Sequence, residues 1–203
     1  MVQSRDHSSA LRIFKKQGGT LRTAKALSLG IHPATLYTLR DDGRLVMLAR
    51  GVYRLADAPE SSNPDLALIA SRVPDAAVCL ISALAFHDIT TQIPAAVHLA
   101  VPRGKYHKIR LGELPVQTYR YDAATFAAGL EPHLIGGKPI RVYNVARTIA
   151  DCFKFRNKIG LDVALEALRL SLDRKRMTQW ELFHYARLLR VERVIQSYVH
   201  FAR

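Results

Sequence analysis

Apolar positions recur at helical spacing three times in the first 45 residues, and each run meets a stop signal. Leu11 and Phe14 share one face of a helix predicted over about Ser9 to Gln17, and Gly18-Gly19 closes it. Thr20 is placed as the N-cap of a second helix, in which Leu21, Ala24 and Leu27 share a face and which ends near Ser28. Gly30 stands where a sharp turn needs positive φ. The third helix opens at His32-Pro33, with proline where a missing N–H costs nothing, and runs through Leu36 and Leu39 to Asp42-Gly43. Leu45 to Leu48 and Val52 to Leu55 follow as two short apolar strands around a turn at Ala49-Arg50-Gly51. Two short helices joined by a glycine turn, followed at once by a hairpin, predict a winged helix-turn-helix.

The polar stretch from Asp57 to Asp65, with Pro59 and Pro64 and no apolar period, is the clearest linker. It divides the chain into a DNA-binding domain over 1–56, a linker over 57–65 and a second domain over 66–203. Beyond it, helices are predicted over Pro64 to Arg72 and about Val78 to His87. Val97 to Val101 is a continuous apolar strand, Val116 to Tyr121 an alternating one, and Pro139 to Tyr143 a third. Helices follow over Asn144 to Phe155, over Leu161 to Leu172, and from the capping box Thr178-Gln179-Trp180-Glu181, and the terminal stretch through Phe201 is expected to be helical too. The expected class is α+β: an N-terminal winged helix-turn-helix, then a mixed α/β domain ending in helices.

Charge sharpens this picture. The chain carries 30 Lys plus Arg against 17 Asp plus Glu, a net of +13. Residues 1–56 hold 10 of those cations and 3 of the acids, a net of +7, so charge density is about threefold higher there. Such a balance points to a polyanion, nucleic acid before an anionic membrane surface.

Placed on the third helix, the residues opposite Leu36 and Leu39 are Ala34, Tyr37, Thr38 and Asp41, with Thr35 flanking. In this motif the second helix of the pair enters the major groove. Thr35 and Thr38 are candidate base or phosphate contacts, and Arg50 at the wing tip is a candidate for the minor groove or a phosphate. Arg22, Lys25 and Arg44 are natural phosphate partners. Tyr37 fits either a phosphate contact or the core, and His32 either a cap or a base contact. The basic run from Pro102 to Arg110 and the cluster Arg174-Lys175-Arg176 fit a second polyanion contact or solvated loops equally.

Motifs for catalysis are sparse. There is no phosphate-binding glycine loop, GxSxG, HExxH or paired-cysteine zinc pattern. Asp151 and Lys154 form a DxxK that chance supplies readily, and His87 and His133 stand alone. No catalytic residue, metal site or cofactor is expected. Cys79 and Cys152 sit among apolar residues, as buried free thiols in a reducing cytoplasm would. The first ten residues hold no apolar core of a signal peptide, and no apolar run is long enough for a membrane span, so a cytoplasmic location is expected.

The run from Gly30 through Leu39, then Gly43-Arg44-Leu45 and Arg50 to Leu55, resembles the winged-helix domain of the AbiEi-type antitoxins. Ile81 to His87, Val97 to Arg103, and Val142 to Cys152 continuing through Lys158 to Asp162 are similar to that family's second domain. The block Ala146-Arg147-Thr148-Ile149-Ala150-Asp151 is the most specific part. His32-Pro33 departs from the Ser or Thr expected before the recognition helix. The resemblance implies the antitoxin of a type IV toxin–antitoxin pair. Its winged helix would bind inverted repeats in its own promoter, and its second domain would oppose a nucleotidyltransferase-like toxin without a stable complex. Monomer and weak dimer both remain open. Two alternatives stand beside this reading: a stand-alone winged-helix transcriptional regulator, and a nucleic-acid-processing enzyme built on the α/β part.

Overall fold

Thr20 decides the first departure from these expectations. The structure is a computed structural model and describes residues 2–57, 63–105 and 108–199, with side chains from residue 7. Helix α1 (Val2–Lys16) stops where Gly18 and Gly19 both take a φ of +78°. Thr20 then does not cap a helix. Thr20–Arg22 is a short strand, β1, and helix α2 is only Thr23–Ser28. A three-residue strand that pairs along its length outcompetes one turn of helix here, because Thr20 and Leu21 are buried by the pairing. The apolar phase shifts with it: Ala26 is the core residue of α2, whereas Ala24 and Leu27 are exposed.

Helix α3 (Pro33–Asp41) and strands β2 (Leu45–Ala49) and β3 (Val52–Leu55) follow as expected. The sheet order is β1-β3-β2, with β3 antiparallel to both neighbours. Phe14, Leu21, Ile31, Leu36, Leu39, Leu45 and Tyr53 form the core beneath it. Together α2, the turn, α3 and the β2–β3 hairpin supply the helix pair and wing anticipated from the sequence. Helix α4 (Pro64–Arg72) completes the element order of this part. Residues 58–62 of the anticipated linker lie outside the described residues.

The remaining elements build a five-stranded sheet of order β6-β5-β4-β8-β7. They are β4 (Ala77–Val78), helix α5 (Leu80–Phe86), β5 (Val97–Pro102), β6 (Val116–Tyr121), helix α6 (Ala123–Ala127), β7 (Leu130–Ile135) and β8 (Lys138–Tyr143). Then come α7 (Val145–Lys154), α8 (Arg156–Ile159), α9 (Leu161–Asp173), α10 (Gln179–Leu188) and α11 (Glu192–Val199). Strand β5 is buried along almost its whole length and β6 alternates, as their patterns predicted. Val78 is in a strand rather than a helix, because β4 bridges β5 and β8 at the sheet centre. Helices α5, α7, α9, α10 and α11 share one core through Leu84, Ile149, Phe153, Leu168, Leu182 and Ile195. The capping box forms, with the Glu181 carboxylate accepting from the Thr178 N–H at 2.7 Å. Phe201 lies outside the described residues.

Contacts divide the chain into two compact units. The first holds Met1–Pro74, Leu111–Leu114 and His133–Ile140, and the second holds the rest. Within the first, Gly18 and Gly137 pack backbone on backbone. A Cβ built on Gly137 falls 2.6 Å from the Gly18 Cα, so neither position has room for a side chain.

Candidate nucleic-acid interface

The site begins with how α3 starts. Proline at its first position removes one unsatisfied N–H, and the Ala34 N–H donates to His32 Nδ1 at 3.2 Å. An imidazole therefore does the work usually given to a Ser, Thr or Asp side chain, in the tautomer whose Nδ1 keeps its lone pair. The departure noted in the sequence is filled by a working cap. The turn before it has Gly30 at a φ of +87°, where a side chain would be strained.

On the outer face of α3, Tyr37 is 50% exposed, so it is not a core residue. Thr38 is exposed beside it; its hydroxyl donates to the Ala34 carbonyl at 3.0 Å and leaves its lone pairs free to accept. Thr35 is a correction. It is buried, in line with Leu36 and Leu39, and with Ser9, Ala10 and Ile13 of α1 it lines a small crevice. A residue one turn before Leu39 shares its face, so Thr35 is turned inward and does not flank the outer face. Asp41, which would repel phosphate, is held by Arg40 at 2.7 Å, and the Arg40 guanidinium lies 5.4 Å from the Tyr37 ring centroid.

The cations named from sequence are all exposed: Arg22 on β1, Lys25 on α2, Arg44 before β2 and Arg50 at the wing tip. The wing is tethered: Arg72 Nη1 donates to the Arg50 carbonyl at 2.7 Å, while the Arg50 side chain is exposed. Gly51 turns the tip at a φ of +75°. The sequence reading missed Lys138. Burial and then the positive charge of Lys25 lower its pKa, so the two ammonium groups sit close enough to repel. No sequence signal joins two lysines 113 positions apart; only the fold does.

The other sequence candidates take structural roles. His87 is buried, with Nε2 2.8 Å from the Tyr143 carbonyl. Asp151 is fully buried, and its partner is Arg147 one turn earlier (3.1 Å), not Lys154. Tyr121 donates to the same carboxylate at 3.0 Å. Burial pushes the Asp151 pKa up, against the pull of Arg147 and Tyr121. Lys105 of the basic run is paired with Asp75 at 2.8 Å, and Arg174 donates to the Asp88 carbonyl at 2.6 Å. Tyr106 and His107 lie outside the described residues. Cys79 and Cys152 are free and buried, and burial raises both thiols well above their ordinary value. Among the described residues, no three His, Cys, Asp or Glu side chains converge where a metal ion could be held. Nor is any helix among them long and apolar enough to cross a membrane.

Residues 9–56, which carry all of this face but Arg72 and Lys138, match the family of transcriptional regulators described as the AbiEi antitoxin. The match spans less than a quarter of the 203 residues. No curated protein matches the chain in sequence. The fold is similar to the crystal structure of the RV2827C protein from Mycobacterium tuberculosis, with a TM-score of 0.56 and 16% identity. That likeness covers 87% of this chain and 70% of the other.

Proposed function

We propose that this chain is a DNA-binding transcriptional repressor and the antitoxin of a type IV toxin–antitoxin pair, acting in the cytoplasm. The observation that carries the reading is a coincidence. The segment that matches a family of antitoxin regulators is the one whose third helix turns Tyr37 and Thr38 outward and that also carries exposed Arg22, Lys25, Arg44 and Arg50. The N-terminal half of α3 enters the major groove. There Thr38 accepts from, or packs on, a base edge, and Tyr37 reaches a phosphate. His32 holds the helix start and lies beside the same groove. The four cations and Lys138 set register on the backbone, and the Arg40–Asp41 pair removes the repulsion Asp41 would cause.

Binding at inverted repeats in its own promoter would place two copies, as monomers or a weak dimer, where they block transcription. The second domain then opposes a nucleotidyltransferase-like toxin without holding it. The stand-alone regulator remains the second reading, favoured by the confinement of the family match to residues 9–56.

A gel-shift series tests the DNA claim. A promoter fragment should bind more tightly than scrambled DNA of equal length, and binding should weaken steeply with salt. Arg50→Ala should weaken both alike and reduce the salt slope by about 1. Equal affinity for the two fragments refutes repression at a specific site. Co-expression with a neighbouring nucleotidyltransferase gene separates the two readings, since a toxin unrelieved by this chain leaves only the regulator.

A further inference from the structure

Helix α10 carries a face that its packing does not use. Leu182 and Ala186 point into the core, with Leu189 just beyond the helix end. Trp180, His184 and Arg187, at i, i+4 and i+7, point the other way, and all three are exposed. Trp180 is the sole tryptophan of the chain and is 71% exposed. Its ring stacks on His184, with centroids 5.8 Å apart and planes inclined by 20°. An indole left in water forgoes a large burial gain, so its place on the surface asks for an explanation.

The ladder runs into a basic groove. Arg187, Arg190, Glu192, Arg193 and Val194 line an open cavity at the corner between α10 and α11. Glu192 approaches Arg187 only to 3.9 Å, so three cations face one acid. Arg190 holds a φ of +60°, a position where glycine is the unstrained residue. A cation there suits the C-terminal end of α10. Arg193 in the first turn of α11 does not suit its helix, because that end already carries partial positive charge. Three arginines lining one open cavity make a site for a phosphate group. Glu181, the acid nearest Trp180 in sequence, is committed to the Thr178 cap.

We propose that this surface binds single-stranded nucleic acid, with bases stacked on Trp180 and His184 and phosphates held by Arg187, Arg190 and Arg193. The ladder from Trp180 to Arg187 is about 10 Å long, room for a stacked base and a following phosphate. Aromatic platforms beside a basic groove bind single strands whatever their sequence, because every base has a face to stack. A duplex keeps its bases paired and would use only the arginines; an acidic peptide would leave the stacked pair idle.

The single tryptophan makes the test local. Titrating the full-length protein with the oligonucleotide dT12 at low salt should quench Trp180 emission to saturation, whereas a blunt duplex of the same length should leave it unchanged. The variant R187Q/R190Q/R193Q keeps the reporter; its quench titration should show a salt slope shallower by about 2. Trp180→Ala should weaken binding of labelled dT12 about fivefold or more, read by anisotropy with excess unlabelled duplex present. All the substituted positions are exposed, and Trp180→Phe, which keeps a ring, should recover most of the loss. Unchanged emission at saturating dT12 overturns the proposal. So does equal quenching by the duplex or by poly-glutamate, or a Trp180→Ala affinity equal to that of the parent. None of these outcomes depends on promoter binding, so this proposal and the repressor reading can fail separately.

Discussion

Replacing Arg147 by methionine is the sharpest test of how the second unit is held together. Arg147 is fully buried and serves five groups at once. It binds Asp151 at 3.1 Å and donates from Nη1 to the Thr125 and Ala128 carbonyls at 2.8 and 3.1 Å. Its guanidinium lies 4.4 Å from the Tyr143 ring centroid and 5.3 Å from that of Tyr121. Methionine fills similar space but strands a buried carboxylate, a change that costs about 3–5 kcal/mol. The two carbonyls lose their donor as well, so we expect a loss near 4–5 kcal/mol, a large share of the stability of an ordinary domain. In R147M/D151L no charge is stranded, and about 2–3 kcal/mol should return.

Urea denaturation followed by circular dichroism measures both. The pH dependence carries a sign. Burial already raises the folded Asp151 pKa, and losing Arg147 raises it further. A carboxyl whose folded pKa lies above its unfolded value is tolerated in acid and costs more as pH rises through that interval. The R147M deficit should therefore grow as pH rises above the ordinary carboxylate range near about pH 4, while the double variant's should stay flat. A deficit below about 1 kcal/mol at neutral pH, or a double variant no better than the single, would show that the pair is not what the core depends on.

The remaining expectations concern single side chains. His32→Ala should destabilise α3 by about 1 kcal/mol while His32→Ser does not, as thermal melts will show; equal losses would mean the imidazole is not acting as the cap. Thr38→Ala should relax preference at one or two base pairs with stability unchanged, whereas Thr35→Ala should lower stability and leave preference alone; a binding-site selection on both variants checks this. Glu166 accepts from the Thr91 and Thr90 hydroxyls at 2.6 and 3.0 Å, and those bonds lower its pKa. Its contribution is present above the unfolded carboxylate value and lost as pH falls through the folded one. After allowing for solvent, Glu166→Gln should cost about 1 kcal/mol at pH 7 and progressively less as the solution is made acid below the ordinary carboxylate range, and a deficit independent of pH would contradict the assignment.

The helix-turn-helix was legible because its signals are local: a glycine turn, proline at a helix start, and an apolar hairpin within a few residues. Thr20 was misread because a Ser or Thr before an apolar run signals a cap only when nothing else claims the backbone, and β3 claims it. Strand β7 escaped notice because Glu131-Pro132-His133 gives no apolar alternation; it is largely exposed at the sheet edge. Thr35 was set beside the outward face although it lies one turn before Leu39, and that neighbour decided its environment. By the same spacing Arg147, one turn before Asp151, is the group that holds the buried carboxylate, and the DxxK spacing to Lys154 is incidental. Hence the most specific block of the family resemblance, Ala146 to Asp151, is core-building and says nothing about catalysis.

The first compact unit is not finished when the first 74 residues are made. It also includes Leu111–Leu114 and His133–Ile140, where the Gly136-Gly137 turn brings the backbone that Gly18 receives. On the ribosome, then, an emerging chain presents a set of helices and a wing that lack part of their own unit until residue 140 has been added. Strands β4 to β7 precede residue 140 and so leave the exit tunnel before it does. The face proposed to bind DNA would, assembled this way, mature late in translation, and a chain released early would carry α3 without its complete support.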